Sequence, residues 1–193
     1  MIAEEGIPTS AGLSSFNLLN EQKFFNALAL KPGMTFLDFG CGLGNYSISA
    51  SPYVGEGGKI YAVDLWEEGL ETLEVRTAMA GLDNIQTSVC GAGDKLLIED
   101  QSVDLCLMAT VLHILVYEKV INDTLHEIKR VLKPGGIVAI VEFYKKQGPP
   151  GPPLSWRLSP SELQEMFIGA GFRGTATLKV GLHNYLSLFS STQ

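Results

Sequence analysis

Positive charge is scarce in this chain. Its 193 residues hold 14 lysines and arginines against 21 aspartates and glutamates, a formal net charge of −7. No basic run is longer than the pairs Lys129-Arg130 and Lys145-Lys146. A surface that neutralises nucleic-acid phosphates carries a basic stripe, so no nucleic-acid partner is expected. The acidic balance suits a neutral or cationic small molecule, or a protein side chain. Cysteine is scarce too. Cys41, Cys90 and Cys106 are odd in number and widely spaced, which supports neither a disulfide framework nor a CxxC metal pair; no metal is expected, and a reducing cytoplasm is the natural compartment. Long hydrophobic runs are missing, and stretches such as Ile137–Val141 are far too short to span a bilayer. The opening Met1-Ile2-Ala3-Glu4-Glu5 is acidic where a signal peptide is basic and then apolar. A membrane partner is therefore not expected, and oligomeric state is not readable.

What is present is enough for a core: 46% of residues are apolar and 18% charged, in a chain of single-domain length. Short apolar runs alternate with longer amphipathic ones. The strand candidates are Thr35–Phe39, Lys59–Val63, Ile85–Cys90, Val103–Ala109 and Ile137–Phe143. Helices are expected over Gly44–Tyr53, Glu67–Ala80 and Tyr117–Val131, the last carrying the stripe Val120, Ile121, Leu125, Ile128 and Leu132. Such alternation predicts a parallel sheet with helices on both faces. Lys133-Pro134-Gly135-Gly136 is expected as a helix-ending turn. Beyond the Pro/Gly stretch at 148–153, read as a stiff connector, Ser159-Pro160-Ser161-Glu162 has the form of a capped helix start. Strands Phe172–Val180 and Asn184–Phe189 then form a closing antiparallel pair. Residues 1–33 read as an N-terminal arm with a helix capped by Asn20, its apolar Phe24, Phe25 and Leu28 packing on the domain at 34–193.

The informative stretch is Phe36-Leu37-Asp38-Phe39-Gly40-Cys41-Gly42-Leu43-Gly44-Asn45. An apolar strand runs into three alternate glycines, and a helix follows. Such a loop turns sharply and lets a ligand approach the backbone, and the helix start offers free N–H groups. The dinucleotide pattern GxGxxG would place glycine where Asn45 stands. Asp38, two residues before the first glycine, would repel a diphosphate and attract a cation. Asp64 ends the next strand, about 20 residues on, where a carboxylate can accept both ribose hydroxyls.

Asp38-Phe-Gly-Cys-Gly-Leu-Gly resembles the first motif of class I S-adenosylmethionine-dependent methyltransferases. Ala62-Val63-Asp64 is similar to the second, residues 91–104 to the third, and Glu127-Ile-Lys-Arg-Val-Leu-Lys-Pro-Gly-Gly to the turn before the fifth strand. The features keep the family's order over roughly residues 12 to 190. The resemblance implies a Rossmann-like, seven-stranded, mostly parallel α/β sheet with an antiparallel C-terminal hairpin. It also implies S-adenosylmethionine as cofactor and methyl transfer to an acceptor, with a small molecule leading. The cofactor-binding residues implied are Asp38, Gly40, Cys41, Gly42 and Asn45 at the first loop, Asp64 and Leu65 at the second, Ala92 and Gly93 at the third, and Met108 and Ala109, with Thr110, at the end of the fourth strand through backbone contacts. Ala92 stands where the family often carries an acid for the adenine amino group, which leaves Asp94 or backbone groups as alternatives. The candidates for a catalytic role are Glu142, His113 and Tyr144, although His113 also reads as a satisfied, half-buried histidine. A non-catalytic S-adenosylmethionine- or S-adenosylhomocysteine-binding protein and a nicotinamide oxidoreductase remain as alternatives.

Overall fold

Apolar runs buried on both faces become the central strands, because a parallel sheet covered by helices leaves neither side for water. On the fifth strand Val138 and Ile140 face one cluster of helices while Ala139 and Val141 face the other, and all four are buried. A computed structural model describes residues 12–192; the acidic start and the rest of the arm at 1–11 lie outside the described residues. The elements are α1 (Glu21–Leu28), β1 (Thr35–Phe39), α2 (Asn45–Val54), β2 (Lys59–Asp64), α3 (Glu67–Ala80), β3 (Ile85–Val89) and β4 (Val103–Ala109), then α4 (Leu112–Tyr117), α5 (Ile121–Val131), β5 (Leu132–Phe143), α6 (Pro160–Gly169), β6 (Phe172–Lys179) and β7 (Asn184–Ser191). Short 3₁₀ turns lie at Phe16–Leu18 and Leu154–Trp156.

The seven strands lie in the order β3-β2-β1-β4-β5-β7-β6. β1 to β5 are parallel, and β7 runs antiparallel between β5 and β6. The chain builds outward from β1 to β3, then returns to lay β4 on the other side. That reversal leaves a crevice at the carboxyl ends of β1 and β4, the place where open α/β sheets bind ligands. Residues of α1, α2 and α3 pack on one face of the sheet and residues of α5 and α6 on the other. The α1 side chains Phe24, Phe25 and Leu28 are buried against Tyr46, Ala50 and Val54 of α2, so this helix is part of the core.

Two local expectations are corrected. The helix expected over Tyr117–Val131 begins only at Ile121, as α5; Tyr117 ends a separate helix, α4, and the chain breaks between them where Lys119 takes a left-handed φ of +62°. The break lets α4 lie across the end of β4 and bury Leu112, His113 and Leu115. The stripe survives in α5 as Ile121, Leu125 and Ile128, whereas Leu132 is already extended. The turn expected at Lys133–Gly136 falls within β5: Leu132 pairs with Val103, and the next partners are Ile137 and Leu105, so the intervening residues bulge out. Gly135, at φ +74°, makes that excursion. The start of α6 has the expected capping box, with Ser159 accepting from the Glu162 N–H and the Glu162 carboxylate accepting from the Ser159 N–H at 2.8 Å.

Because Phe24 is wholly buried, Phe24→Ala is expected to lower stability by about 3–5 kcal/mol. Urea unfolding measures it; a change below about 1 kcal/mol would mean that α1 is not part of the cooperative core.

Candidate active site

A cavity of about 690 Å³ opens at the crevice. Gly40 and Gly42 bound it after β1, Asp64, Leu65 and Trp66 after β2, and Cys90, Gly91 and Ala92 after β3. Ala109, Thr110 and His113 bound it after β4. Its far end lies between α4, Phe143 and the Pro150–Pro153 segment with Trp156, and Ser15 and Leu18 of the N-terminal segment cover it from above. The charged side chains on its wall are Asp64 and Glu118, and no lysine or arginine lines it among the described residues.

The loop after β1 folds back because its glycines take left-handed φ values. Gly42, at φ +54°, would project a Cβ into open space, so the backbone itself faces the cavity. Gly44 is needed for a different reason: a Cβ there would come within 2.3 Å of Leu73 on α3. Asp64 ties the loop down. Its Oδ2 accepts from the Gly42 N–H at 2.7 Å, and its Oδ1 accepts from the Trp66 N–H at 2.9 Å. Each oxygen keeps a further lone pair for a ligand.

Asp38 lies one layer back. Strand alternation turns it toward α2, where the Ser47 hydroxyl donates to Oδ2 at 2.6 Å and Oδ1 has no partner. It is 1% exposed and does not line the cavity, so its influence on a ligand there is through its field. Burial raises this carboxyl from 3.8 to about 7; the Ser47 hydrogen bond pulls the other way, and the Asp64 charge adds to the rise.

The other sequence candidates separate into wall and support. Leu65, Ala92 and Ala109 line the cavity. The Cys41 side chain packs with Ala62, Leu70 and Leu73, and burial pushes its thiol up, while Cys41 also borders a smaller recess together with Gly40 and Gly42. Asn45 opens α2, and Gly93 (φ +85°) turns the loop after β3; neither lines the cavity. Alternation on β4 sends the Met108 side chain into the core, fully buried, so only its backbone is left for a contact, and Thr110 stands at the wall beside Ala109. Thr110 holds an unusual left-handed φ of +56° for a β-branched residue. Asp94 is absent from the wall as well.

Among the catalytic candidates, His113 lines the cavity and Glu142 sits behind it. The His113 Nδ1 is 2.9 and 3.0 Å from the two Glu142 carboxylate oxygens, and the His113 N–H donates to the same carboxylate at 3.1 Å. Tyr144 does not belong to this group. It lies beyond the wall, its ring 5.4 Å from that of Tyr185.

Sequence reasoning allowed for the N-terminal segment docking over the mouth of a site but did not name the residues that close it. Ser15 bonds Tyr46 at 2.8 Å and takes a hydrogen bond from Thr110 at 3.3 Å, pinning the N-terminal segment over the glycine loop. Trp156 stacks on Tyr117, ring centroids 4.1 Å apart. Arg157 is 6% exposed and donates to the carbonyls of Tyr144, Lys146, Gly148, Pro150 and Pro152. One buried cation therefore shapes the loop that walls the far end. The arginine next to a Pro/Gly stretch was the only signal available.

The Asp38 shift has a consequence for folding. Its stabilising contribution is complete below the unfolded value near 4 and is lost as pH rises through about 7, a change of roughly 4 kcal/mol. Ligand-free Asp38→Asn is expected to lack this slope and to unfold at a higher temperature than the native chain above pH 7. Melting curves from pH 5 to 8.5 test it; a difference that does not change with pH would contradict it.

Comparisons with known proteins agree with this geometry. A family profile described as a methyltransferase domain matches residues 30–168. A SAM-dependent methyltransferase from Aquifex aeolicus is 31% identical with a TM-score of 0.83, covering 92% of this chain and 93% of that one. The ubiquinone/menaquinone biosynthesis C-methyltransferase UbiE of Bordetella parapertussis is 30% identical over 128 residues, which are 66% of this chain and 48% of that protein. A demethylmenaquinone methyltransferase of Staphylococcus aureus (strain MRSA252) is 34% identical over 115 residues, 60% of this chain and 45% of that protein. The chain thus spans about half the length of the curated relatives it matches.

Proposed function

Because this chain belongs to the class I S-adenosylmethionine-dependent methyltransferases, we propose that it transfers a methyl group from S-adenosylmethionine to a small molecule by in-line displacement. The observation that carries the reading is the pairing of Asp38 and Asp64 around a side-chain-free loop, in a cavity whose wall has no cationic side chain among the described residues. A dinucleotide diphosphate would be repelled there, whereas a sulfonium amino acid gains from both charges. The cofactor supplies a methyl group on cationic sulfur, and the protein supplies alignment, which can be worth on the order of 7–11 kcal/mol of the barrier.

The residues present fit that cofactor. Asp64 would accept the ribose hydroxyls while still holding the Gly42 N–H. Leu65 and Ala92 would enclose the adenine, with backbone groups near Gly91 reading its edge. The backbone of Gly40 and Gly42 would meet the methionine end, with the unpartnered Asp38 oxygen drawing its ammonium by charge. Ala109 and Thr110 would border the sulfonium. Cys41, Asn45 and Gly93 would act by holding these loops in shape.

A small-molecule acceptor is supported by the apolar far end of the cavity and by relatives whose names concern quinone biosynthesis. Among the described residues no helix is long and apolar enough to cross a membrane. Free thiols at Cys41, Cys90 and Cys106 suit a reducing cytoplasm.

Calorimetry is expected to give binding of S-adenosylhomocysteine and none of NAD, and Asp64→Asn should weaken the former at least about tenfold through lost charge-assisted hydrogen bonds. Unchanged affinity in that variant would remove Asp64 from the ribose, and binding of NAD alone would overturn the reading.

A further inference from the structure

We propose that His113 is the base of this reaction, that Glu142 is its positioning residue, and that the acceptor is an uncharged, largely apolar molecule whose reacting group begins as an acidic hydroxyl, phenolic or enolic. The proposal rests on the methyl-transfer reading above and names its acceptor class.

Glu142 is fully buried on β5. Strand alternation places it on the same face as Val138 and Ile140, with α4 above it. Burying a carboxylate in such a place is costly unless it is paired. Among the described residues its hydrogen-bond partners are the His113 ring, the His113 N–H and, at 3.4 Å, the Phe143 N–H, with no lysine or arginine. An ionised carboxylate can only accept, so the pair fixes the imidazole proton on Nδ1 and leaves the Nε2 lone pair without a hydrogen bond among the described residues. His113 reaches the cavity wall and Glu142 does not. The arrangement therefore offers the cavity one basic nitrogen, backed by a negative charge that stabilises it once protonated.

The surroundings narrow what meets that nitrogen. Ile114, Leu115, Phe143, Pro152 and Trp156 make the far end apolar. An anionic acceptor would find no lysine or arginine on the wall among the described residues, and would face the Asp64 carboxylate. An acceptor that is nucleophilic without losing a proton would leave the buried pair without a purpose. A neutral hydroxyl acidic enough to yield its proton to an imidazole suits both the wall and the base. In the reaction the O–H bond breaks and its proton passes to Nε2. The released pair, on oxygen or on a carbon conjugated to it, forms the new bond to the methyl carbon. The methyl–sulfur bond breaks with its pair on sulfur, so positive charge leaves the sulfonium and appears on the imidazolium beside Glu142.

The test uses three ring-matched probes with the whole chain: 2-naphthol, 2-naphthoate and 2-naphthylmethylamine. With S-adenosylhomocysteine bound, 2-naphthol is expected to bind at least about tenfold tighter than the other two, because burying an unpaired charge is penalised. With S-adenosylmethionine it is expected to be methylated. His113→Gln, which keeps an amide donor for Glu142, should lower kcat by about 10²–10⁴ with KM changed less than about threefold. Glu142→Gln should lower kcat as well. Preference for the acid or the amine, no binding of 2-naphthol, or an unchanged kcat in His113→Gln would overturn the proposal. Nitrogen-15 NMR of the ligand-free native protein gives a reading that needs no variant to fold apart from the one that assigns the signal. It should show His113 protonated at Nδ1 and bare at Nε2, and the opposite tautomer would overturn it. S-adenosylhomocysteine affinity, measured on the same samples, separates the two layers. Its absence in the native protein defeats the methyl-transfer reading, whereas normal affinity with the wrong tautomer or acceptor defeats only the base.

Discussion

An unscreened pair of carboxylates at the carboxyl end of the first two strands is the constraint around which this site is organised. Asp38 is sealed beneath the glycine loop and Asp64 stands at its edge, holding the loop by the Gly42 N–H. A half-buried acid elsewhere shows the contrast: the oxygens of Asp104 accept from the Thr35 N–H and the Lys133 ammonium. Here, among the described residues, both carboxylates are met only by a hydroxyl and backbone N–H groups. The ligand-free fold bears that electrostatic cost in order to present a negative field to whatever enters, and a cationic ligand relieves it. Binding and folding stability thus draw on the same two side chains.

The architecture determines where this field can act. Because the strand order reverses between β1 and β4, no crossover helix closes the space beyond their ends, and the loops after β1, β2, β3 and β4 all converge there. The other half of the cavity is made by elements with little regular structure of their own. The N-terminal segment is fastened through Ser15, Tyr46 and Thr110. The Pro/Gly loop is shaped by Arg157, whose guanidinium serves as a hub for backbone carbonyls. A charged group used in this way must keep its planar set of donors, so the loop's shape depends on arginine in particular.

Much of the framework was legible in the sequence because it follows local rules. The strand Thr35–Phe39 and the helix over Glu67–Ala80 occur where apolar periodicity put them. The capping box at Ser159 follows from the residue types alone. Periodicity failed at the start of α5, since the positive φ at Lys119 that separates it from α4 has no sequence signal comparable to a glycine. It failed again at β5, whose extended path begins before the Pro-Gly-Gly bulge.

For the site, motif spacing located Gly40, Gly42, Asp64, Leu65, Ala92 and Ala109 at the cavity wall. It could not tell which side chains face the cavity and which are buried one residue away, as at Met108 and Asp38. Pairings over long sequence separations were beyond it. His113 and Glu142 lie 29 residues apart, and nothing in either neighbourhood names the other. The roof was illegible for the same reason: Arg157 is matched to carbonyls, and a carbonyl leaves no trace in a sequence.

The most direct test of the account is a crystal structure grown with S-adenosylhomocysteine. The adenine should lie between Leu65 and Ala92, the ribose hydroxyls on Asp64, and the amino-acid end over Gly40 and Gly42 with its ammonium toward Asp38. Electron density for the ligand at another place, or an Asp64 carboxylate that makes no contact with it, would contradict the claim that these two acids define the site.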